Sequence, residues 1–259
     1  MCDFVQLTQP AERAGCHLPC EHDCGCRQID LPVHNQCVRR RAGFLLYAAI
    51  QFVVLTTLAM QVYAGGTMWD PWSRGYAFTG NFLSELGATS SWSGQENHAS
   101  AVLFAIALGT LGIAFILFAG AWRGFAFGRK RGAAVGVAGQ VFGTASGLGF
   151  AAVAVTPVNL ALQAHNIFVV AAFGMLLGYA ACTTIVWAKN GGTRLQISIC
   201  TLYVVLVLVY FVVVAIALKH GVVSERGHRE LVVSQKAMAY ASMLYIGYVT
   251  VAVRRIIPA

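Results

Sequence analysis

Four stretches of the chain carry the side chains able to donate, accept or transfer protons. The first is Asn81-Phe82-Leu83-Ser84-Glu85-Leu86-Gly87. Asn81 suits a helix N-cap and Gly87 a helix stop, so a short helix is expected here, lying on or dipping into an interface. Ser84 and Glu85 would face protein. Glu85 then reads either as a buried acid or ligand-binding carboxylate, or as a solvated carboxylate on a surface turn; near hydrocarbon it requires a partner. The second stretch is Glu96-Asn97-His98, where His98 could act as a base, a metal ligand or a plain interfacial side chain. The third is His165-Asn166, just after Thr156-Pro157. It either lines a polar pocket with Glu85 or caps the helix that it opens. The fourth runs from Ser224 through Glu225, Arg226, His228, Arg229 and Glu230 to Gln235 and Lys236. Its mixed charge reads as a solvated loop, with Lys236 close enough to the bilayer to pair with Glu85 or a lipid phosphate.

A fifth group stands apart. Cys16, Cys20, Cys24 and Cys26, with His17 and His22 among them, are dense enough to hold zinc, yet their spacing matches no paired CxxC framework. They read as weak metal candidates in a disordered cytoplasmic leader spanning residues 1–41, where thiols stay reduced. No cofactor is indicated. There is no phosphate-binding glycine loop and no HExxH, and Gly143-Thr144-Ala145-Ser146-Gly147 lacks the spacing of a nucleophile elbow.

The elements that must position these groups follow from composition. Hydrophobic residues make up 58% of the 259, charged ones only 11%, and mean hydropathy is +0.66. A soluble domain carries about 25% charged residues. Six apolar runs reach the roughly 20 residues needed to span a bilayer, at about 43–64, 99–122, 133–156, 166–188, 195–218 and 236–257. The fold class expected is all-α, a polytopic bundle of six transmembrane helices over residues 42–259. Placing the N-terminus inside puts 13 of the 18 Lys and Arg residues on the inner flanks and 5 on the outer. The positive-inside rule then sets both termini in the cytoplasm and the protein in the cell membrane. The four polar stretches fall on the outer side. The basic residues form no long tract, so the bilayer is the expected partner and nucleic acid is not.

Helix three carries Gly139, Gly143 and Gly147 at a spacing of four. A face stripped of side chains lets neighbours approach closely, which predicts a central position for this helix. Helix five, rich in Val and Leu and without glycine, is expected to face lipid.

Together the outer motifs resemble the bacterial DUF998 family of six-helix membrane proteins, related to the Frag1/DRAM/Sfk1 group. The likeness rests on Phe82-Leu83-Ser84-Glu85-Leu86-Gly87-Ala88, on Thr156-Pro157 followed by His165-Asn166, and on Ser234-Gln235-Lys236. It covers about residues 43–257. The resemblance implies the architecture and groups Ser84, Glu85, His165, Asn166 and Gln235 in one cluster; it implies no activity. Where the family has Arg, this chain has Lys236, which removes bidentate recognition.

Three functions remain open. The first is an outer polar pocket, built from Ser84, Glu85, His98, His165, Asn166, Gln235 and Lys236, for a lipid headgroup or small ligand. The second is an intramembrane lipid hydrolase or transferase in which Ser84, Glu85 and the histidines supply nucleophile, acid–base groups or metal ligands. The third is a small-molecule transporter, for which the chain shows neither discontinuous helices nor an inverted repeat.

Overall fold

The computed structural model describes residues 31–127, 133–220 and 224–257. Six long helices follow one another: α1 (Leu31–Gln61), α2 (His98–Phe127), α3 (Ala133–Ala154), α4 (Leu162–Lys189), α5 (Arg194–His220) and α6 (Glu225–Ile256). A short 3-10 helix, η1 (Leu83–Gly87), sits in the α1–α2 connection. Each of the six is long and apolar enough to cross a membrane. The cysteine-rich segment, including Cys16, Cys20, Cys24 and Cys26, lies outside the described residues.

Local chemistry sets the helix ends. Pro157 has no N–H to continue a helix, and α3 stops at Ala154. Gly191, at φ +75°, turns the chain after α4, and Gly192 N–H returns to the Trp187 carbonyl at 2.8 Å. Thr193 and Gln196 then form a reciprocal capping box at the start of α5, at 2.8 and 3.2 Å. Ser224 caps α6 by accepting from Gly227 N–H, with Glu225 in the first turn and Arg254 and Arg255 in the last. That charge arrangement complements the helix dipole.

The helices form a ring in which each packs against its neighbours in sequence and α6 returns to α1. The tightest seams flank α3. A Cβ added to Gly112 would lie 2.6 Å from the Gly147 carbonyl oxygen, and one on Gly147 would lie 2.7 Å from that of Gly112. Backbone therefore meets backbone between α2 and α3. On the other side of α3, Ser146 donates to the Ala172 carbonyl of α4 at 2.9 Å. This is a partner of the kind a hydroxyl inside a bilayer needs. The small-residue stripe of α3 thus makes close neighbours, as expected, but α3 is a member of the ring between α2 and α4 and not its centre. From α5, Leu202, Val205, Leu208, Val209, Val212 and Ile216 point outward, an apolar face suited to lipid.

Two boundaries differ from the hydropathy reading. α1 starts at Leu31, so residues 31–41 are helix and not leader. α6 starts at Glu225, eleven residues before the apolar run at 236–257, and the stretch read as a solvated loop forms its first turns. Hydropathy sees only the apolar part of a helix; the α6 extension is held by the Ser224 cap and the α1 extension by bonds from Arg39 to the Ile257 carbonyl and Arg41 to the Leu117 carbonyl, which hydropathy does not register.

Leucine at position 147 (Gly147→Leu) should cost at least the roughly 1–3 kcal/mol of an overpacked core. The expected readout is a lowered thermal midpoint in detergent, while Leu substitution at the exposed Asn166 leaves α2–α3 packing intact.

Candidate functional site

The connection between α1 and α2, residues 62–97, folds over one end of the ring, called here the loop end. Its backbone is mostly irregular, so its polar groups need partners other than a helix ladder. Asn81, fully buried, supplies many of them. Its side-chain oxygen accepts from Ala77 N–H at 2.9 Å, and its side-chain nitrogen donates to the Gly66 carbonyl at 2.9 Å and to Glu85 Oε2 at 2.6 Å. Its carbonyl accepts from the Tyr76 hydroxyl at 3.0 Å and from the Lys236 ammonium. Gly66 (φ +84°) is forced to be glycine here, because a Cβ would fall 2.4 Å from Ser93 N. The sequence reading of Asn81 as an N-cap is corrected: Phe82 precedes η1 and makes no side-chain cap.

Glu85 is 6% exposed. Burial is the main influence on its carboxyl and raises its pKa above the usual carboxylate range, with the Asn81 and Trp92 side chains opposing. Burial, and next the charge of Glu85, pushes the Tyr76 phenol well above its ordinary value, which keeps it a hydrogen-bond donor. Lys236 is 2% exposed and lies over the rings of Tyr76 and Phe78, 5.2 and 5.1 Å from their centroids. Asn81 therefore links Glu85 to Lys236, one through its amide and the other through its carbonyl.

α6 holds this loop with one face. His228 Nε2 meets the Gly80 carbonyl at 2.9 Å, Gln235 Oε1 accepts from Leu83 N–H at 2.8 Å, and Lys236 reaches Asn81. The spacings of seven and eight residues put all three on one side of a helix. The Phe82 ring packs edge-on against His228 at 5.0 Å. Other helices contribute too. Asn97, ahead of α2, donates to the Ala88 carbonyl at 2.9 Å, and Ser100 to that of Leu86 at 3.0 Å. Asn159, between α3 and α4, accepts from Thr89 N–H at 3.0 Å.

The seven residues singled out from sequence fall in three places. Glu85 and Lys236 bond to Asn81, and Gln235 holds the adjacent Leu83. Ser84 faces an apolar cavity beneath η1, described below. The remaining three stand elsewhere. His98 is exposed, 3.7 Å from exposed Glu96. His165 is 1% exposed, and its Nδ1 meets the Thr156 carbonyl at 2.7 Å across the α3–α4 turn, while its buried Nε2 has no partner. Asn166 is exposed on α4. Sequence reading missed Asn81's linking role, Tyr76, Phe78 and His228. A usable signal existed: Ser224 followed by Glu225 is a helix start, and extending α6 to that point aligns His228 with Gln235 and Lys236.

Two concavities mark the loop end. One is a shallow groove of about 480 Å3 lined by Thr79, Arg226, Arg229, Glu230, Val233 and Ser234. Its arginines are engaged along the helix, Arg226 with Glu230 at 3.2 Å and Arg229 with Glu225 at 2.5 Å. The other is an apolar slot inside the ring beneath η1, with about 500 Å3 of unfilled space counting its open side. About 40 Å3 of that is wide enough for a water-sized sphere, so the slot is narrow. Its walls include Phe104, Leu108, Leu111, Phe150 and Val153; Ser84 and Gln235 are the polar residues among them.

A serine nucleophile needs a base within hydrogen-bond reach. His165 is bonded to Thr156, His228 to Gly80, and the Glu85 carboxylate to Asn81. Among the described residues no group of three or more His, Cys, Asp or Glu side chains could hold a metal ion. Compared with protein-family models, curated proteins and solved structures, the chain matches none of them.

Two outcomes test this network. Asn81→Ala should lower stability by about 2–4 kcal/mol, since it strands several buried groups at once, while His98→Ala should stay within about 0.5 kcal/mol; chemical unfolding in detergent separates them. For Glu85 the raised folded pKa has a definite sign. The stabilisation is complete below its unfolded pKa and is lost as pH rises through the folded value. Glu85→Gln keeps an acceptor for Asn81, so its unfolding midpoint should be flatter with pH in that window than that of the parent protein.

Proposed function

We propose that this chain is a multi-pass protein of the cell membrane, both termini cytoplasmic, that binds a lipid or another small amphiphile at its loop end. The observation that carries the reading is the apolar slot inside the helix ring, roofed by η1 and bordered by few polar groups. Small-molecule sites have this character, with mostly apolar walls and a few placed hydrogen-bonding groups. Orientation is supported by the distribution of charge: Arg39, Arg40, Arg41, Lys189, Arg194, Arg254 and Arg255 gather at the end opposite the loop.

Membership of the DUF998 family is part of the proposal. In its support, the three motif stretches are bonded in the fold. Leu83 is joined to Gln235, Thr156 to His165, and the loop to the α3–α4 turn through Thr89 and Asn159. Among the described residues no base stands poised beside Ser84 for the hydrolase reading and no helix is broken for the transporter reading; binding is what the slot supports.

Native mass spectrometry of the protein released from phospholipid nanodiscs tests binding. Lipid adducts should persist on the parent protein and fall several-fold in Leu111→Trp, which fills the slot. Equal adducts on both would overturn the reading. A reporter that fluoresces only in the cytoplasm, fused after Ala259, should fluoresce; a dark fusion would overturn the orientation.

A further inference from the structure

The slot has a side entrance. Of the residues that line it, most are fully buried: Phe52, Phe104, Leu108, Leu111, Phe150, Val153, Ala239 and Met243 are each 6% exposed or less, as is Leu83. The exceptions are Ser84, Val169, Phe173 and Gln235, all partly exposed. These four come from η1, α4 and α6. The open side therefore lies between the loop-end halves of α4 and α6, just under η1.

Nothing packs firmly across that opening. α4 and α6 are bridged by α5, which makes its close contacts low in the ring: Tyr203 stacks on Tyr245 at 4.1 Å and its hydroxyl meets Ser242 at 2.8 Å. The buried residues of α5 are Cys200, Tyr203 and Val207. From Leu208 to Lys219 no described side chain is buried. The half of α5 nearest the opening is thus loosely held.

Two polar groups at the opening bond to no other described residue. Among the described residues the Gln235 side-chain oxygen accepts from Leu83 N–H, while its NH2 group and the Ser84 hydroxyl, both partly exposed, donate to none. At a site bordered by hydrocarbon, an unmet donor costs free energy unless a ligand supplies an acceptor. A carbonyl oxygen is such an acceptor. A narrow apolar slot behind two hydrogen-bond donors fits one thin chain attached to a carbonyl.

We infer that the gap between α4 and α6 is a lateral mouth through which one acyl chain of an ester lipid enters from the bilayer. The chain lies along the slot, and its ester carbonyl accepts from Gln235 and Ser84. No bond is broken. This rests on the binding reading above and specifies its ligand and its route.

The test uses the full chain in phosphatidylcholine nanodiscs doped with a phosphatidylcholine carrying a diazirine midway along one acyl chain. After illumination, mass spectrometry of digested protein should place label on Leu108, Leu111, Phe150 or Val153. Gln235→Glu keeps an acceptor for Leu83 N–H while removing the NH2 donor, and should cut this label about tenfold. Ser84→Ala should cut it less. Ala239→Phe narrows the slot and should abolish it while outward label on α5 persists. Label confined to outward residues such as Leu202, Val209 and Ile216, with lipid adducts still retained in native spectra, would overturn lateral entry and leave binding intact. Absence of both slot label and retained adducts would sink both. Parent-level slot label in Gln235→Glu would overturn the carbonyl assignment.

Discussion

An irregular loop seated on an apolar bundle must satisfy its own backbone, and this constraint governs the loop end. Water is scarce beside the buried side of the loop, and an unmet N–H or C=O there is costly. Asn81 meets the constraint because a carboxamide offers two donors and two acceptor positions on a short stem. Its amide and carbonyl together join Gly66, Tyr76, Ala77, Glu85 and Lys236. Loss of the Asn81 side chain leaves Gly66, Ala77 and Glu85 short of a partner. The polar residues that look suited to chemistry are, for the most part, engaged in this satisfaction. Glu85 and Lys236 are buried ionisable groups with defined neighbours, which explains how an apolar chain tolerates them.

The six spans were legible because a bilayer demands long apolar runs, and composition alone reveals those. The helix caps at Thr193 and Ser224 were legible in principle, since capping depends on residues three apart. The network around Asn81 was not. Its members lie up to 155 residues apart in the chain, and no local pattern says which asparagine will be buried. Proximity on one side of the membrane suggested that Glu85 and His165 share a pocket. In the fold, Glu85 turns to Asn81 and His165 turns to Thr156, so two nearby motifs serve two separate fastenings. Helix three shows the same limit: its stripe of small residues foretold close contact, yet contact on both sides is equally compatible with a place in a ring.

What remains after these fastenings is a sheltered apolar space and, among the described residues, two polar groups that bond to no other side chain or backbone group. The same roof that consumes the charges borders that space: η1 packs Leu83 and Leu86 into the core, lies against Phe104 of α2 at Gly87, and is tied to α6 through Gln235. Leu83 and Ser84 are neighbours on η1, and the bond between Leu83 and Gln235 fixes both the height of the roof and the position of the free amide.

The hold of α6 on the first connecting loop also orders events during synthesis. His228, Gln235 and Lys236 bind Gly80, Leu83 and Asn81 across 148 to 155 residues of chain. Chains grow at roughly 5–20 residues per second. The loop, with Glu85 and Asn81, therefore waits on the order of ten seconds before its last partners are made. During that interval four helices are inserted beside an unfinished roof. The final helix closes the ring against α1 and completes the loop, so a chain cut short before Glu225 would leave the loop with its α2 and α3–α4 partners but without the three bonds from α6.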